Sequence, residues 1–251
     1  MKLSYKSIQF EVTRRCNDRC IHCCRGKCQN IDLTKEIVDA FFDNNDIIYI
    51  GTLSFSGGEP SLNAEIVEYI VDKLIEKKIE YGHFIASTNG LVYSEKLIKA
   101  LYKLNEYGKV FKNTSKDVCG IFFISDDQFH SKPCAKSIQG YSKYKFFTPY
   151  RGERNMDLNN LLPYGYAVEN GLTDKQPDLS KITDYKSCFE IKDYEGQRYL
   201  IFNYQYICSN GNVSTDGCMS YNLMDMYAIV NVTEHKIVDL FSLFIKKSMK
   251  V

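Results

Sequence analysis

Ile8-Gln9-Phe10-Glu11-Val12-Thr13-Arg14-Arg15-Cys16-Asn17-Asp18-Arg19-Cys20-Ile21-His22-Cys23 joins two kinds of sequence. The first five residues alternate apolar and polar side chains, the period of a strand with one buried face. The last eight set three cysteines at a Cys-x3-Cys-x2-Cys spacing in the loop that follows. A strand ending in a thiol-bearing loop places reactive groups at its C-terminal end.

The chain repeats that arrangement. Ile37, Val38, Phe41 and Phe42 form an apolar stripe at helical spacing, and 47–55 reads as a second strand closed by Gly57-Gly58. Ile66, Val67, Ile70, Val71, Leu74 and Ile75 share one helix face, and 83–87 is a third strand closed by Asn89-Gly90. Leu97, Ile98, Leu101 and Leu104 mark a third helix with Ser94 as its N-cap, and 119–125 is a fourth strand with Cys119 in the core. Alternating β–α units predict a parallel sheet or barrel with its chemistry at the C-terminal strand ends. Beyond Ser125 the pattern weakens to candidate strands at 145–148 and 161–168. A β-hairpin is then expected, its arms at 198–207 and 212–214 flanking Ser209-Asn210-Gly211, and a terminal helix carries Ile237, Leu240, Phe241 and Phe244 on one face.

With 251 residues the chain can bury a sizeable core as one α/β domain, or as one domain with a modest appendage. Hydrophobic residues make up 44% and the net charge is +1, a globular balance with no field to attract nucleic acid or an acidic membrane. No apolar run approaches the roughly 18 residues of a transmembrane helix. The opening Met1-Lys2-Leu3-Ser4-Tyr5 runs into a strand pattern without a signal peptide's apolar stretch. Neither nucleic acid nor membrane is an expected partner, and the expected location is cytoplasmic. Of ten cysteines, five lie between positions 16 and 28. Thiols crowded in a reducing compartment point to metal or redox chemistry rather than to structural bridges.

Thiolates suit iron–sulfur clusters, and a four-iron cluster takes four ligands, so Cys16, Cys20 and Cys23 would leave one iron open. Zinc is the competing reading. It prefers paired Cys-x2-Cys knuckles and a fourth protein ligand, and no matching second pair lies nearby. Cys20, Cys24 and Cys28 form an alternative trio.

Phe55-Ser56-Gly57-Gly58-Glu59-Pro60 ends the second strand, Ser87-Thr88-Asn89-Gly90 the third, and Ile124-Ser125-Asp126-Asp127-Gln128-Phe129-His130 the fourth. Together with the cysteine loop, these strand ends resemble those of the radical S-adenosylmethionine (SAM) superfamily. The resemblance implies an α/β fold, a partial (β/α)6 TIM-like barrel over 1–186 with a small C-terminal hairpin and helix extension over 187–251. It implies a [4Fe–4S] cluster on Cys16, Cys20 and Cys23, with the amino and carboxylate groups of SAM on the open iron. Ser56 to Pro60 would form the Gly-Gly-Glu-Pro turn, its glycines letting backbone approach the ligand and Glu59 accepting from the SAM ammonium. Ser87, Asn89, Ser125 and Asp127 are implied contacts to the ribose and methionine parts, and the His22 ring is placed to stack on adenine. His130 is a candidate acid–base group at the barrel mouth, with capping as its alternative role. The implied activity is reductive cleavage of SAM to a 5′-deoxyadenosyl radical that abstracts a substrate hydrogen atom, with a flavodoxin- or ferredoxin-type reductant.

The resemblance loosens over 141–170, where Tyr166 of Tyr164-Gly165-Tyr166-Ala167 stands in place of an arginine common in related proteins. Past 187 a Cys-flanked hairpin, 208–218, is similar in style to the SPASM/twitch extensions of peptide-modifying members, with Cys188 upstream. That likeness implies a second iron–sulfur cluster on Cys188, Cys208 and Cys218; unliganded buried thiols are the alternative. The expected substrate is a peptide or protein side chain, served by a separate leader-peptide-binding protein because no N-terminal peptide-recognition domain is read. A small metabolite or nucleotide is the second reading, and a non-catalytic iron–sulfur or zinc binding module the third.

Overall fold

The computed structural model describes residues 1–112, 118–149, 156–180 and 188–239. Strand β1 (Lys2–Glu11), α1 (Lys35–Asp43), β2 (Ile47–Ser56), α2 (Ala64–Glu76), β3 (Glu80–Thr88), α3 (Glu95–Lys112), β4 (Gly120–Ile124), α4 (Ala135–Tyr141) and β5 (Phe147–Thr148) follow in sequence. Strands β1 to β5 pair in parallel in that order. The α/β fold with a partial-barrel strand order expected from the sequence is therefore present.

Each helix forms where its apolar stripe can be buried. Thr34 caps α1 by accepting the Ile37 amide, and Val38, Phe41 and Phe42 go inward. Phe41 then meets Phe10 of β1 edge-on at 5.3 Å. Helix α2 buries Ile66, Val67, Ile70, Val71 and Leu74. Ser94 caps α3 as its position predicts, its Oγ accepting the Leu97 amide at 3.2 Å. Because every crossover returns over the same sheet, the C-terminal ends of β1 to β4 lie along one edge.

The second half departs from expectation. The segment 161–168 is no strand: it is a loop leading to α5 (Tyr166–Glu169), since Gly165, at φ 55° and ψ −136°, turns the chain sharply. Instead of one long hairpin arm over 198–207 there are two strands. Strand β6 (Phe189–Tyr194) turns at Glu195-Gly196 into β7 (Gln197–Phe202), and β7 pairs in parallel with Lys2–Tyr5 of β1. After a jog at Asn203-Tyr204, β8 (Gln205–Ile207) pairs in parallel with Ile8–Phe10. It then turns back into β9 (Asn212–Ser214), which β10 (Val230–Asn231) follows. The C-terminal segment thus extends the sheet past β1 rather than forming a separate layer. Of the expected terminal helix, Ile237 lies in a 3-10 turn (Ile237–Asp239), and Leu240, Phe241 and Phe244 lie outside the described residues. No helix among the described residues is long and apolar enough to cross a membrane.

Candidate active site

The loop from β1 to α1 carries five cysteines and is anchored at its base. Residues 12–15 run beside 29–33: the Arg14 amide donates to the Ile31 carbonyl at 2.8 Å, and that of Leu33 to the Val12 carbonyl at 3.1 Å. At the tip the Cys23 amide donates to the Cys20 carbonyl and that of Gly26 to the Cys23 carbonyl. These two tight turns bring Cys16, Cys20 and Cys23 to the wall of one cavity of about 610 Å3.

The glycine turn after β2 lies directly against this loop. The Gly58 amide donates to the Thr13 carbonyl at 2.7 Å and that of Glu59 to the Arg15 carbonyl at 2.8 Å. A Cβ on Gly57 would sit 2.3 Å from the Thr13 oxygen, and one on Gly58 2.1 Å from the Arg15 oxygen. The glycines are needed here by the backbone of the cysteine loop itself.

Glu59 is almost wholly buried, at 1% exposure. Its Oε1 accepts from the Ser61 amide at 3.0 Å and Thr88 Oγ1 at 2.7 Å; its Oε2 accepts from the Asn89 amide at 2.8 Å. A carboxylate offers about four acceptor positions, so one remains on Oε2, and Glu59 lines the cavity. Pro60 is buried as the first residue of a 3-10 turn (Pro60–Asn63). The Asn89 side chain is engaged locally: Oδ1 accepts the Leu91 amide at 3.0 Å and Nδ2 donates to Asn17 at 2.8 Å. Ser56, Ser87, Asn89 and Ser125 all line the cavity.

At the end of β4 the expected set divides. Asp127 does not line the cavity. Its Oδ1 accepts from the Phe129 amide at 2.9 Å and stands 2.8 Å from His130 Nδ1. Burial works to raise its pKa, but the hydrogen bonds from His130 and Phe129 pull it below the usual carboxylate range. Asp127 therefore orients His130, and His130 is the one that lines the cavity. The His22 ring stacks on Phe129, centroids 4.7 Å apart, and meets His130 edge-on at 4.9 Å. His22 Nδ1 is buried without a hydrogen-bond partner, and burial holds its pKa below the ordinary imidazole value. Asp18 ties this corner to the cysteine loop, its Oδ1 accepting from Ser131 Oγ at 2.7 Å.

The thiols fit an iron–sulfur group by donor type and surroundings. Cys16 Sγ accepts from the Asp18 amide at 3.4 Å, the kind of N–H···S contact that supports a ligating thiolate. Burial pushes the Cys16 thiol up to about 11 and raises that of Cys20 further, with Asp18 adding to it. Thiolates at these positions need a cationic partner, and a cluster core is one. Cys24 and Cys28 also line the cavity, but Cys24 packs against an apolar group of Tyr164, Tyr206, Cys208, Met219, Tyr221 and Met224.

The three C-terminal cysteines are not brought together. Cys188 lies in the main core beside Asn203, whose amide donates to its carbonyl at 2.8 Å, at the level of Tyr5 in β1. Cys208 follows the β8 residue paired with Phe10, roughly 17 Å farther along at about 3.3 Å per residue. Cys208 is fully buried in the smaller apolar group, and Cys218 is exposed. The expected convergence fails because β7 and β8 are successive strands along β1 and not one arm of a single hairpin.

Several cavity residues were not read as site residues from the sequence: Arg25, Met156, Leu161 and Tyr221. Arg25, two residues past Cys23, was legible by position alone. Tyr221 was not, since its place depends on the C-terminal segment joining the sheet beside β1.

The model described as the radical SAM superfamily matches residues 10–111, a span that holds the cysteine loop and the ends of β2 and β3. The uncharacterized protein MJ0907 of Methanocaldococcus jannaschii is 31% identical over 108 residues, covering 40% of this chain. The chain covers only 36% of that relative's length. Among solved structures, Streptococcus suis SuiB bound to precursor peptide SuiA has a TM-score of 0.44 at 13% identity, over 96% of this chain and 64% of SuiB. Native anSMEcpe with bound AdoMet has a TM-score of 0.46 at 15% identity, over 95% of this chain and 80% of the other. Both are loose likenesses.

Proposed function

We propose that this chain, whose residues 10–111 match the radical SAM superfamily, is an enzyme that acts on an unactivated carbon with the help of an iron–sulfur cluster and SAM. When bound, the cluster and SAM supply reductive cleavage to a 5′-deoxyadenosyl radical, the agent of hydrogen-atom abstraction. The observation that carries the reading is the convergence of four strand ends on one cavity that also holds Cys16, Cys20 and Cys23.

In this reading Cys16, Cys20 and Cys23 hold the cluster. The remaining acceptor position of Glu59 Oε2 accepts a hydrogen bond from the SAM ammonium, while its other positions keep Thr88 and Asn89 in place. Ser87, Asn89 and Ser125 face the methionine and ribose parts. His22, which lines the cavity, is the ring that would stack on adenine. His130, held by Asp127, is the group able to move a proton at the cavity wall. The electron would come from a flavodoxin- or ferredoxin-type donor, in keeping with a cytoplasmic location.

The substrate we propose is a peptide or protein side chain, read from the Cys-flanked turn of the C-terminal segment; a leader-binding partner would then present it. A small metabolite is the second reading, since a cavity of about 610 Å3 lies within the roughly 300–1,000 Å3 of small-molecule sites.

The test is anaerobic reconstitution. The protein should bind about four irons and, once reduced, form 5′-deoxyadenosine from SAM. Replacing Cys16, Cys20 and Cys23 together by Ala should abolish both. Tightly bound zinc in anaerobically purified protein, with no SAM cleavage after reduction, would favour the non-catalytic binding module.

A further inference from the structure

Arg25 is a charged group in the cavity that cluster and SAM binding leave unused. Its Nη2 donates to Tyr206 Oη at 2.9 Å and its Nη1 to the Met219 carbonyl at 3.2 Å. The guanidinium carbon stands 5.0 Å from the centre of the Tyr206 ring. Tyr206 is itself fully buried, and its Oη lies 3.2 Å from Ser56 Oγ, one residue before the glycine turn.

The partners of Arg25 are all neutral. Arg14 is matched by Glu11 and Asp225, Arg15 by Asp32 and Arg198 by Asp193. Among the described residues no carboxylate lies within salt-bridge distance of Arg25, and its Nε–H and one Nη2 proton have no acceptor. A guanidinium stays charged at any working pH, and partial burial without a carboxylate paired to it is unfavourable. Here the fork is fixed by a stacked ring and three hydrogen bonds, the third from Nη1 to Met224 Sδ at 3.6 Å, so its unused donors are oriented before any ligand arrives. A planar fork of this kind fits a carboxylate best.

Its position separates it from the proposed SAM contacts on β3 and β4. Ser87, Asn89, Ser125 and His130 belong to the ends of β3 and β4, whereas Tyr206 belongs to β8, on the other side of β1. We infer that Arg25, oriented by Tyr206 and Ser56, forms a carboxylate subsite for the substrate, an inference that rests on the radical SAM reading above. The substrate class is thereby narrowed to molecules with a carboxylate near the reacting carbon, such as a peptide with an acidic side chain. The other source of the same chemistry is the methionyl carboxylate of SAM.

The test uses reconstituted, SAM-loaded protein titrated with N-acetyl-glutamate α-amide and N-acetyl-glutamine α-amide, which are close in shape and differ by one charge. The wild type should prefer the glutamate probe by about tenfold or more, the value of a charge-assisted hydrogen bond. Arg25→Gln should erase that preference and leave SAM affinity unchanged. Arg25→Lys should keep part of it, and Tyr206→Phe, which preserves the ring, should reduce it several-fold. Equal binding of both probes by the wild type overturns the subsite, as does an Arg25→Gln protein whose only change is a shifted cluster potential. Arg25→Gln weakening SAM about tenfold, with probe preference intact, would transfer the carboxylate to SAM and overturn the substrate assignment. A wild type that holds iron and cleaves SAM but shows no probe preference loses only the subsite. A wild type without iron or SAM cleavage loses the radical SAM reading itself.

Discussion

Arg14 and Asp225 lie 211 residues apart and meet as a two-pronged pair, Nη1 donating to Oδ2 at 2.7 Å and Nη2 to Oδ1 at 2.8 Å. Arg14 also donates from Nε to Glu11 at 2.6 Å, and its guanidinium sits over the Tyr221 ring. The base of the cysteine loop is thus bonded to the short helix Tyr221–Met226, which supplies Tyr221 to the cavity.

Asp225→Ala should lower unfolding stability. The Arg14 side chain is fully buried while that of Asp225 is 37% exposed, so the loss falls short of the roughly 3–5 kcal/mol of a fully buried pair. About 1–2 kcal/mol is expected after allowance for solvent screening and for the retained Glu11. Burial works to raise the Asp225 pKa, but the Arg14 and Asn210 hydrogen bonds hold it below the ordinary value. Because the folded pKa is depressed, this stabilisation is present above the unfolded value of about 3.9 and is lost as pH falls through the folded one. The gap between wild type and Asp225→Asn in denaturant titrations should therefore close below about pH 4. A gap that is constant with pH would count against the pair.

Glu59→Ala should impair more than ligand binding. It removes the acceptor for Ser61, Thr88 and Asn89, leaving the buried Asn89 amide without a partner. A loss of about 2–3 kcal/mol in stability is expected together with weaker SAM binding. Thermal unfolding and SAM titration check the two separately. Full stability with lost SAM affinity would make Glu59 a ligand contact alone.

Gly165→Ala tests the seat of the cysteine loop. A Cβ there would come within 2.6 Å of the Cys23 and Cys24 carbonyls and 2.5 Å of the Gly26 nitrogen, all rigid backbone. The position also has a φ of 55°, strained for a side-chain-bearing residue. The hydrogen bond from the Tyr166 amide to the Cys23 carbonyl should break, and iron bound after reconstitution should fall by at least about half while far-ultraviolet dichroism persists. Unchanged iron content would show that the loop holds its shape without α5.

Replacing Cys188, Cys208 and Cys218 together by Ala should leave iron content and the cluster's optical spectrum as in the wild type. Burial, with the Glu11 and Asp225 carboxylates adding to it, raises the Cys208 pKa without any metal. A drop in iron, with Cys16, Cys20 and Cys23 intact, would restore a second cluster.

The first half of the fold was legible because it is built from local pattern. The stripes of α1, α2 and α3 and the glycine-terminated strands declare themselves within windows of a dozen residues. Ser94 and Thr88 show two grades of legibility. The N-cap follows from adjacency to an apolar stripe, whereas the Thr88 bond to Glu59 needs two strands in register. Asp127 illustrates a further limit: its place in a motif was readable, but its turning away to hold His130 depends on side-chain geometry. Arg25 has nothing periodic about it, and its meaning came only from Tyr206, 181 residues away.

The sequence by itself determined the β–α alternation, the thiols after β1 and the polar ends of β2, β3 and β4, because periodicity and turn chemistry act between near neighbours. Only the tertiary structure decided that β7 and β8 would share one edge of β1, that Cys188 and Cys208 would be held apart, and that Tyr206 and Tyr221 would reach the cysteine loop. Those outcomes follow from pairing at long sequence separation. Which strand joins which edge, and in what register, is set by the burial and hydrogen bonding of the whole sheet.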